Sequence, residues 1–407
     1  MLRGNVIGIT LLIAMALTIA SCGGSSSGGG LIIGGPTPLP TGNNVVSITV
    51  DAGPAGTVNA AFVSVTLCVP GTSNCQTIDH MLVDTGSTGV RVIASVLTAA
   101  LTLPALRDAG GNITAECGQF ADGSTFGTIK LADVKLSGEV AGNLPVHIIG
   151  DPALPNIPAD CLATGPPENS VQKFGANGVV GVSVFLEDCG AACANSVVPA
   201  TYYSCPSSGC VPVAMPRASQ IQQPVAKFAA NNNGVAIVLR SVDPAGAALV
   251  AGALLFGIGT QSNNAVGRAA VLTLDANFGT LTTLFNNQTL RNSFVDSGSN
   301  GLFFNDSTLP ACSGTVAPGF YCPTTSQSRS AMLQGLSGAA VDATFSVANA
   351  NALLNNNTTF VAFANLAGTN PLQTSFDWGL PFFYGRTVFF AIEGRTTPAG
   401  TGPYLAY

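Results

Sequence analysis

The chain has 407 residues, 47% of them hydrophobic, which is enough for a sizeable core in two lobes or in one large all-β unit. Only 8% of the residues are charged. The net charge of −6 with 14 Lys and Arg argues against a nucleic-acid partner, because so few cations cannot neutralise a run of phosphates. The 48 Gly and 25 Pro are spread along the whole chain, which favours short strands and turns over long helices.

The N-terminus has the pattern of an export signal. A small positive region, Met1 to Arg3, precedes an apolar segment, Val6 to Ala20, that is too short to span a bilayer comfortably. The segment leads into Ser21 and Cys22, and the sequence IASC resembles a bacterial lipobox. Residues 1–21 are therefore predicted to be a lipoprotein signal peptide and Cys22 the lipidation site. The alternative is an ordinary signal peptide that happens to contain a Cys.

The residues after this signal predict where the protein is held. The residue after Cys22 is Gly23 and not Asp, which is typical of lipoproteins that are sorted to the outer membrane. Residues 22–44 are rich in Gly, Ser and Pro and are predicted to form a flexible tether. We therefore expect an outer-membrane lipoprotein of the bacterial cell envelope that faces the periplasm or the exterior. Its only membrane contact would be the N-terminal lipid.

Ten cysteines remain once Cys22 is set aside, and an even number in an exported chain predicts up to five disulfides. They are Cys68, Cys75, Cys117, Cys161, Cys189, Cys193, Cys205, Cys210, Cys312 and Cys322. We expect the pairs Cys68–Cys75, Cys312–Cys322 and Cys117–Cys161, and two more bonds of open connectivity within the remaining four. Zinc is the alternative for those four, but their spacing is not CxxC and no His lies nearby.

The two histidines, His80 and His147, are too isolated along the chain for a zinc triad. A Ser-His-Asp system would be recognised by a GxSxG elbow, and none is present. We therefore expect no metal and no cofactor.

Nearly everything after residue 45 has the pattern of strand and turn. Val45 to Asp51 and Ala61 to Leu67 alternate between apolar and polar residues, as half-buried strands do. Ser219 to Asn231 is one of the few candidates for a helix.

A ten-residue segment occurs twice. Residues 81–90, MLVDTGSTGV, return as residues 293–302, SFVDSGSNGL, so that Asp84 and Asp296 lie 212 positions apart (296 − 84). This separation is a domain length and is too long for a solenoid repeat. The chain is therefore predicted to form two related lobes, an N-terminal lobe of residues 45–262 and a C-terminal lobe of residues 263–407.

The repeated segment has the residues that paired-carboxyl chemistry needs. An apolar strand leads directly into an Asp, and burying that Asp is expensive unless the following loop satisfies its oxygens. The Gly two residues later permits a tight turn. If two such loops face each other, the carboxyls compete for one proton, so that one pKa falls and the other rises. The ionised carboxyl can then act as general base on a water while the protonated one polarises a substrate carbonyl.

The two turns resemble the D-[TS]-G-[ST] signatures of pepsin-like aspartic peptidases. Further segments resemble landmarks of that family in the same order: a flap hairpin at 119–127, Gly-containing strands at 177–182 and 376–383, and the strand leading out of the first lobe at 254–259. The resemblance covers about residues 45–407 and implies an all-β, bilobal fold with pseudo-twofold symmetry and a central cleft. The residues to which it gives a role are the catalytic Asp84 and Asp296, the dyad-supporting Thr85, Gly86, Ser87, Ser297, Gly298 and Ser299, and the flap residues Phe120, Asp122 and Gly123.

The chain also departs from that family. The flap tyrosine falls at Phe120 and the tryptophan that usually hydrogen-bonds it falls at Arg91, so flap closure must rest on something else. In the second lobe, Leu380 stands where an Asp usually follows the Gly of the strand. Asp122 and Asp377 are interpreted as turn residues.

A second resemblance is to a family of proteobacterial lipoproteins with twin D-[TS]-G-S motifs and a C-terminal stretch of the type FDWGLPFFYGR, here residues 376–386. This family is a domain of unknown function and implies no activity. Trp378 in this stretch is interpreted as a core residue.

The expected function is that of a secreted, lipid-anchored aspartic endopeptidase, which hydrolyses peptide bonds with a water activated between Asp84 and Asp296. It would act as a monomer on peptide or protein substrates. The alternative is a catalytically inactive pepsin-like protein that binds peptide or glycan in its cleft. A surface adhesin or structural β-sandwich would need neither the paired motif nor the flap.

Overall fold

Strands form most of the molecule, and the helices are short. The computed structural model describes residues 38–407. The predicted signal peptide, the lipidation site Cys22 and the first part of the predicted tether lie outside these residues. The end of that tether is bound to the body, because the Asn44 amide donates to the Phe256 carbonyl (3.0 Å) and the Gly138 N–H donates to the Asn43 carbonyl (2.9 Å). Within 38–407, no helix has the length and apolarity needed to cross a bilayer.

The strands of the predicted N-terminal lobe begin at residue 45, and the first two coincide with the segments of alternating polarity. They are β1 (Val45–Val50), β2 (Ala61–Cys68), β3 (Cys75–Asp84), β4 (Thr88–Ile93), β5 (Ile113–Gln119), β6 (Ser124–Leu136), β7 (Glu139–Ile149), β8 (Gly178–Val182), β9 (Tyr202–Cys205), β10 (Val211–Pro212), β11 (Gly234–Leu239) and β12 (Val250–Phe256).

The strands of the predicted C-terminal lobe follow after a loop that contains the predicted boundary at residue 262. They are β13 (Val271–Thr273), β14 (Leu281–Phe285), β15 (Gln288–Val295), β16 (Leu302–Phe303), β17 (Gln327–Gln334), β18 (Ala340–Val347), β19 (Ala367–Gly368), β20 (Asp377–Trp378), β21 (Thr387–Ala391), β22 (Thr396–Thr397), β23 (Gly400–Thr401) and β24 (Tyr404–Ala406).

One sheet runs through both lobes in the order β10-β9-β5-β6-β7-β4-β8-β3-β2-β1-β12-β11-β21-β24-β13. The lobes join where β11 pairs antiparallel with β21, with Ala236 opposite Phe389. In each lobe the first strand pairs with the last strand: β1 pairs with β12 in the N-terminal lobe, and β13 pairs with β24 in the C-terminal lobe. A second sheet, β18-β17-β14-β15-β20-β16-β19, completes the C-terminal lobe. The predicted all-β bilobal fold is confirmed.

A strand that contains a Gly, or that a Gly directly follows, lies behind each repeated turn. In the first lobe β8 lies between β3 and β4, parallel to β3, with Gly181 opposite Asp84. In the second lobe β20 lies between β15 and β16 in the same way, parallel to β15. A Cβ on Gly181 would lie 2.7 Å from the Ser87 backbone, and one on Gly379, just after β20, would lie 2.1 Å from the Gly301 carbonyl oxygen. Only glycine therefore lets these strands approach the turns.

The helices are confined to connections. They are α1 (Ala159–Leu162), α2 (Val171–Phe174), α3 (Ala191–Asn195) and α4 (Ala350–Asn356), with 3₁₀ turns at Ala94–Val96, Arg217–Ser219, Val225–Lys227 and Leu380–Phe383. The predicted helix from Ser219 to Asn231 is wrong. Pro224 interrupts the segment, and the buried Gln222 and Gln223 amides donate to the carbonyls of Ala218 (2.8 Å) and Ser183 (2.6 Å). Side-chain hydrogen bonds to the backbone thus override helix propensity there.

All ten cysteines within residues 38–407 form disulfides, which confirms the number predicted. The predicted pairs Cys68–Cys75, Cys117–Cys161 and Cys312–Cys322 are present. The four cysteines of open connectivity pair as Cys189–Cys193 and Cys205–Cys210. These bonds point to an oxidising, extracytoplasmic environment.

Trp378 is a core residue, as predicted. It is fully buried and stacks on Phe376 with ring centroids 3.9 Å apart. Its indole N–H donates to the Thr283 hydroxyl (3.0 Å), so the ring satisfies its polar atom inside the core of the C-terminal lobe.

Candidate active site

The two repeated turns meet where the lobes join. Asp84 is the last residue of β3, and Asp296 directly follows β15. The residues directly before each Asp are apolar, Met81 to Val83 in β3 and Phe294 and Val295 in β15. Each carboxyl is therefore carried into the interior: the exposed fraction is 2% for Asp84 and 9% for Asp296.

Reciprocal hydrogen bonds lock the two turns together. The Thr85 hydroxyl donates to the Val295 carbonyl (3.1 Å) and accepts from the Ser297 N–H (2.9 Å). The Ser297 hydroxyl makes the mirrored pair, donating to the Val83 carbonyl (2.7 Å) and accepting from the Thr85 N–H (3.1 Å). Each turn is therefore held by the other, as the pseudo-twofold relationship requires. The position of both carboxyls is fixed before any ligand arrives.

The carboxyls have unequal sets of partners. The Gly86 N–H donates to Asp84 Oδ1 (2.7 Å). Asp296 receives the Gly298 N–H on Oδ1 (2.8 Å) and the Ser299 hydroxyl on Oδ2 (2.8 Å). Asp296 thus has a hydrogen-bonding neighbour on each oxygen, whereas the turn of Asp84 supplies a backbone donor to Oδ1.

Gly86 also explains how the two carboxyls come so close. A Cβ at this position would lie 2.9 Å from the Asp296 carboxyl carbon. Any larger residue would therefore push the Asp296 carboxyl away from the first turn.

Asp84 is the carboxyl that keeps a proton. Burial is the main cause, and the charge of Asp296 and a hydrogen bond between the two carboxyls add to it, so that the pKa of Asp84 rises from 3.8 to about 8. The Ser87 hydroxyl and the Gly86 N–H oppose this rise in pKa. The pair thus has an ionised and a protonated member near neutral pH, which is the division of roles expected from two facing carboxyls.

A cleft of about 320 Å³ opens above the pair. Its wall is largely apolar and comes from both lobes. The lining residues are Asp84, Thr85, Gly86, Ser87, Gln119, Phe120, Ala121, Ser183, Val184, Phe185, Leu274, Phe278, Gly279, Leu281, Phe294, Val295, Asp296, Phe390 and Leu405. Phe278, at 78% exposure, stands at its mouth.

The predicted flap is the hairpin formed by β5 and β6. Its turn is closed by the Phe120 N–H, which donates to the Gly123 carbonyl (2.8 Å). Phe120 lines the cleft and packs edge-to-face on Phe174, with centroids 5.5 Å apart. Gly123 does not line the cleft, and a Cβ there would lie 2.6 Å from the Pro166 carbonyl oxygen. Asp122 lies in the same turn and does not line the cleft.

A buried ion pair holds the base of the flap. Arg91 on β4 binds Glu116 on β5, with Nε 3.1 Å from Oε1 and 3.2 Å from Oε2. His147 Nδ1 on β7 lies 2.8 Å from the other side of this carboxyl, at Oε2. Burial would raise the pKa of Glu116, but the charge of Arg91 and the contact with His147 hold it well below its usual range. The predicted loss of the family's tyrosine–tryptophan bond is therefore accompanied by an ion pair that ties the flap strand to the body.

Arg91 also reaches Asp188, whose Oδ2 lies 3.3 Å from the guanidinium. Burial, followed by the charge of Glu116, raises the pKa of Asp188 well above its usual range. The Tyr202 hydroxyl donates to Asp188 Oδ1 (2.5 Å). Arg91 thus neutralises the ionised Glu116 carboxylate, and the neighbouring Asp188 carboxyl keeps its proton.

Asp377 corrects the sequence interpretation. It is not a turn residue, because it begins the buried strand β20, where it is 8% exposed. Its Oδ2 lies 2.7 Å from the Ser299 hydroxyl oxygen, the same oxygen that contacts Asp296. The signal that could have identified it is the one used for Asp84: a carboxylic acid inside the apolar run FDWGLPFF requires a partner.

The other predicted residues occupy the expected neighbourhood. Ser87 lines the cleft beside Asp84, and Leu380 is buried with its N–H donating to the Ser299 carbonyl (2.7 Å). The residues that sequence reasoning missed at the site are Glu116, Asp188 and Asp377. In residues 38–407, no set of three or more His, Cys, Asp or Glu side chains is arranged to hold a metal ion.

The fold and the paired turns define a bilobal protein with the pepsin-like aspartic proteinase fold. Among solved structures, the chain is similar to the crystal structure of an aspartic proteinase from Irpex lacteus, at 16% sequence identity over 89% of this chain and 96% of that chain, with a TM-score of 0.53. At this identity the likeness shows the fold alone.

The chain belongs to the family described as a protein of unknown function (DUF3443), whose model matches residues 40–407. No curated protein sequence matches the chain.

Proposed function

We propose that the protein is an aspartic endopeptidase in which Asp84 and Asp296 activate a water for attack on a peptide bond. The observation that carries the proposal is the pair itself. The two carboxyls share a hydrogen bond and belong to turns that are locked to each other. A pair built only to stabilise turns would not need an open cleft above it, lined from both lobes and bordered by a hairpin.

The inequality of the two carboxyls supports a division of labour. Asp296, with donors on both oxygens, is the base that takes a proton from water as the water oxygen attacks the substrate carbonyl carbon. Asp84, whose pKa is raised to about 8, gives its proton to the carbonyl oxygen, and a tetrahedral diol forms. When the diol collapses, the C–N bond breaks, Asp296 passes its proton to the leaving nitrogen, and a diol hydroxyl returns a proton to Asp84. An acid and an amine are the products.

The walls of the cleft support a peptide with apolar side chains as the substrate. Phe185, Phe390 and Leu405 line the cleft, and Phe278 stands at its mouth. Such apolar walls favour apolar groups. The five disulfides support an exported protein. We further propose that it is anchored by a lipid on Cys22 to the bacterial cell envelope and acts there as a monomer.

The test is incubation of the purified protein with an unfolded protein substrate from about pH 3 to pH 8, with and without pepstatin. The proposal predicts new peptide termini and their loss with pepstatin. A folded protein that binds peptides or glycans and cleaves none at any pH would refute the endopeptidase and favour the inactive binding protein.

A further inference from the structure

Ser299 lies between two buried carboxyls. Its Oγ is 2.8 Å from Asp296 Oδ2 and 2.7 Å from Asp377 Oδ2. A hydroxyl has one hydrogen and can donate to only one of these oxygens. The other contact is a hydrogen bond only if the second carboxyl carries a proton and donates it to Ser299. One of the two carboxyls in this chain of contacts is therefore neutral.

The surroundings place that proton on Asp377. Its Oδ1 is buried and makes no hydrogen bond within the described part of the chain, so an ionised Asp377 would leave charge without a partner. Its neighbours Phe376 and Trp378 are fully buried aromatic residues. Asp296, in contrast, accepts the Gly298 N–H on Oδ1, and this backbone donor cannot reverse its direction.

Charges around Asp377 act in the same direction. Burial is the main cause that raises the pKa of Asp377 well above its usual range, followed by the charge of Asp296 and, more weakly, that of Asp84, while the Ser299 hydroxyl opposes the rise. On the other side β20 pairs with β16, which consists of Leu302 and Phe303 and has no titratable group.

We propose that Asp377 is a neutral positioning residue of the dyad: its O–H donates to Ser299 Oγ, and this directs the Ser299 O–H onto Asp296 Oδ2. Asp296 is thereby kept in the ionised state that a general base requires. The catalytic meaning of this arrangement rests on the proposed function, whereas the position of the proton can be observed without any activity.

The test is whether replacing Asp377 raises or lowers the pH at which Asp296 gains a proton. Asp377→Leu has nearly the same shape and removes the donor. Asp377→Asn keeps a donor, its amide N–H, and cannot ionise. If Asp377 is neutral, Asp377→Leu weakens the support of ionised Asp296, so the pH at which Asp296 gains a proton rises by about half a unit or more, while Asp377→Asn restores the wild-type value. If Asp377 is ionised, both variants remove a negative charge and both lower that pH, which would overturn the proposal.

The measurement is an NMR titration of the protein labelled with ¹³C at the aspartate carboxyls. The Asp377 signal is assigned by its loss in Asp377→Asn, and Asp342→Asn, on an exposed position of β18, is the matched control that should leave the Asp296 midpoint unchanged. A neutral Asp377 near pH 6 supports the proposal, and an ionised one refutes it. An unchanged Asp296 midpoint in Asp377→Leu would also refute the positioning role. If Asp377→Leu fails to fold, Asp377→Asn decides alone. A neutral Asp377 predicts no change in the pH at which Asp296 gains a proton, and an ionised Asp377 predicts that this pH falls.

The same variants separate this inference from the proposed function. If the proposed function and this inference both hold, the acidic limb of the pH profile of cleavage moves together with the pH at which Asp296 is half protonated. Absence of cleavage by the wild type at every pH would contradict the endopeptidase, and the NMR titration would still decide the state of Asp377.

Discussion

Asp84→Asn should change how the stability of the protein depends on pH. Burial, with the charge and hydrogen bond of Asp296, raises the pKa of Asp84 from 3.8 to about 8. A carboxyl whose pKa is higher in the folded chain than in the unfolded chain binds its proton more tightly when folded. Its contribution to stability is therefore fully present below the unfolded pKa and is lost as the pH rises towards the folded pKa.

The size of the effect follows from the shift. One pKa unit corresponds to about 1.4 kcal/mol, so this group should remove about 1.4 kcal/mol of unfolding free energy per pH unit, or about 4 kcal/mol between about pH 4 and pH 7. Asn has nearly the same shape as Asp and does not titrate. The variant should therefore gain stability relative to the wild type as the pH rises.

The assay is denaturant-induced unfolding of both proteins, disulfides intact, at several pH values across this window, after reversibility has been checked. The difference between the two unfolding free energies cancels the groups that they share. Asp342→Asn, at an exposed strand position, should give a difference that does not vary with pH. Parallel curves for wild type and Asp84→Asn, or a wild type that gains stability relative to the variant as the pH rises, would refute a buried, protonated Asp84.

Three further changes test the parts that hold the site. Thr85→Val leaves the buried Ser297 N–H without its acceptor, which should cost about 1–3 kcal/mol of unfolding free energy. Ser297→Ala should cost a similar amount. A loss of stability in only one of these variants would contradict the reciprocal bonding of the two turns. Arg91→Leu leaves the Glu116 charge buried without its guanidinium partner, which should cost about 3–5 kcal/mol of unfolding free energy. Most of this stability should return when Arg91→Leu is combined with Glu116→Leu. Additive losses in that double-mutant cycle would show that the pair is not coupled. Replacing both Cys117 and Cys161 by Ser should lower the unfolding free energy by about 2–4 kcal/mol and speed hydrogen exchange in the β5–β6 hairpin, and unchanged exchange would mean that the disulfide does not hold the flap.

The repeated turns could be predicted from the sequence because their chemistry is local. Asp84 and Asp296 bond to the N–H two residues on, and the Gly that supplies it is part of the same motif. Two copies at a domain spacing then implied two lobes, and the mirrored strand order at their junction is the outcome. The disulfides Cys68–Cys75 and Cys312–Cys322 were accessible for the same reason, since each closes a short loop.

The contacts between distant segments could not be predicted. Glu116 and Asp188 lie 25 and 97 residues along the chain from Arg91, and only the tertiary fold brings the three side chains together. Residue type alone predicts a turn at Asp377, although its apolar neighbours already require a partner. What the sequence cannot specify is that this partner is Ser299, 78 residues away.

The most direct test of the paired carboxyls is cleavage of an unfolded protein in ¹⁸O-labelled water by wild type, Asp84→Asn and Asp296→Asn, each shown to be folded. New carboxyl termini are read by mass spectrometry. Because Asn keeps the shape and cannot share a proton, wild type should give labelled termini between the acidic range and about pH 8, where Asp84 loses its proton, and neither variant should give any. Cleavage that persists in either Asn variant would show that the chemistry lies outside this pair.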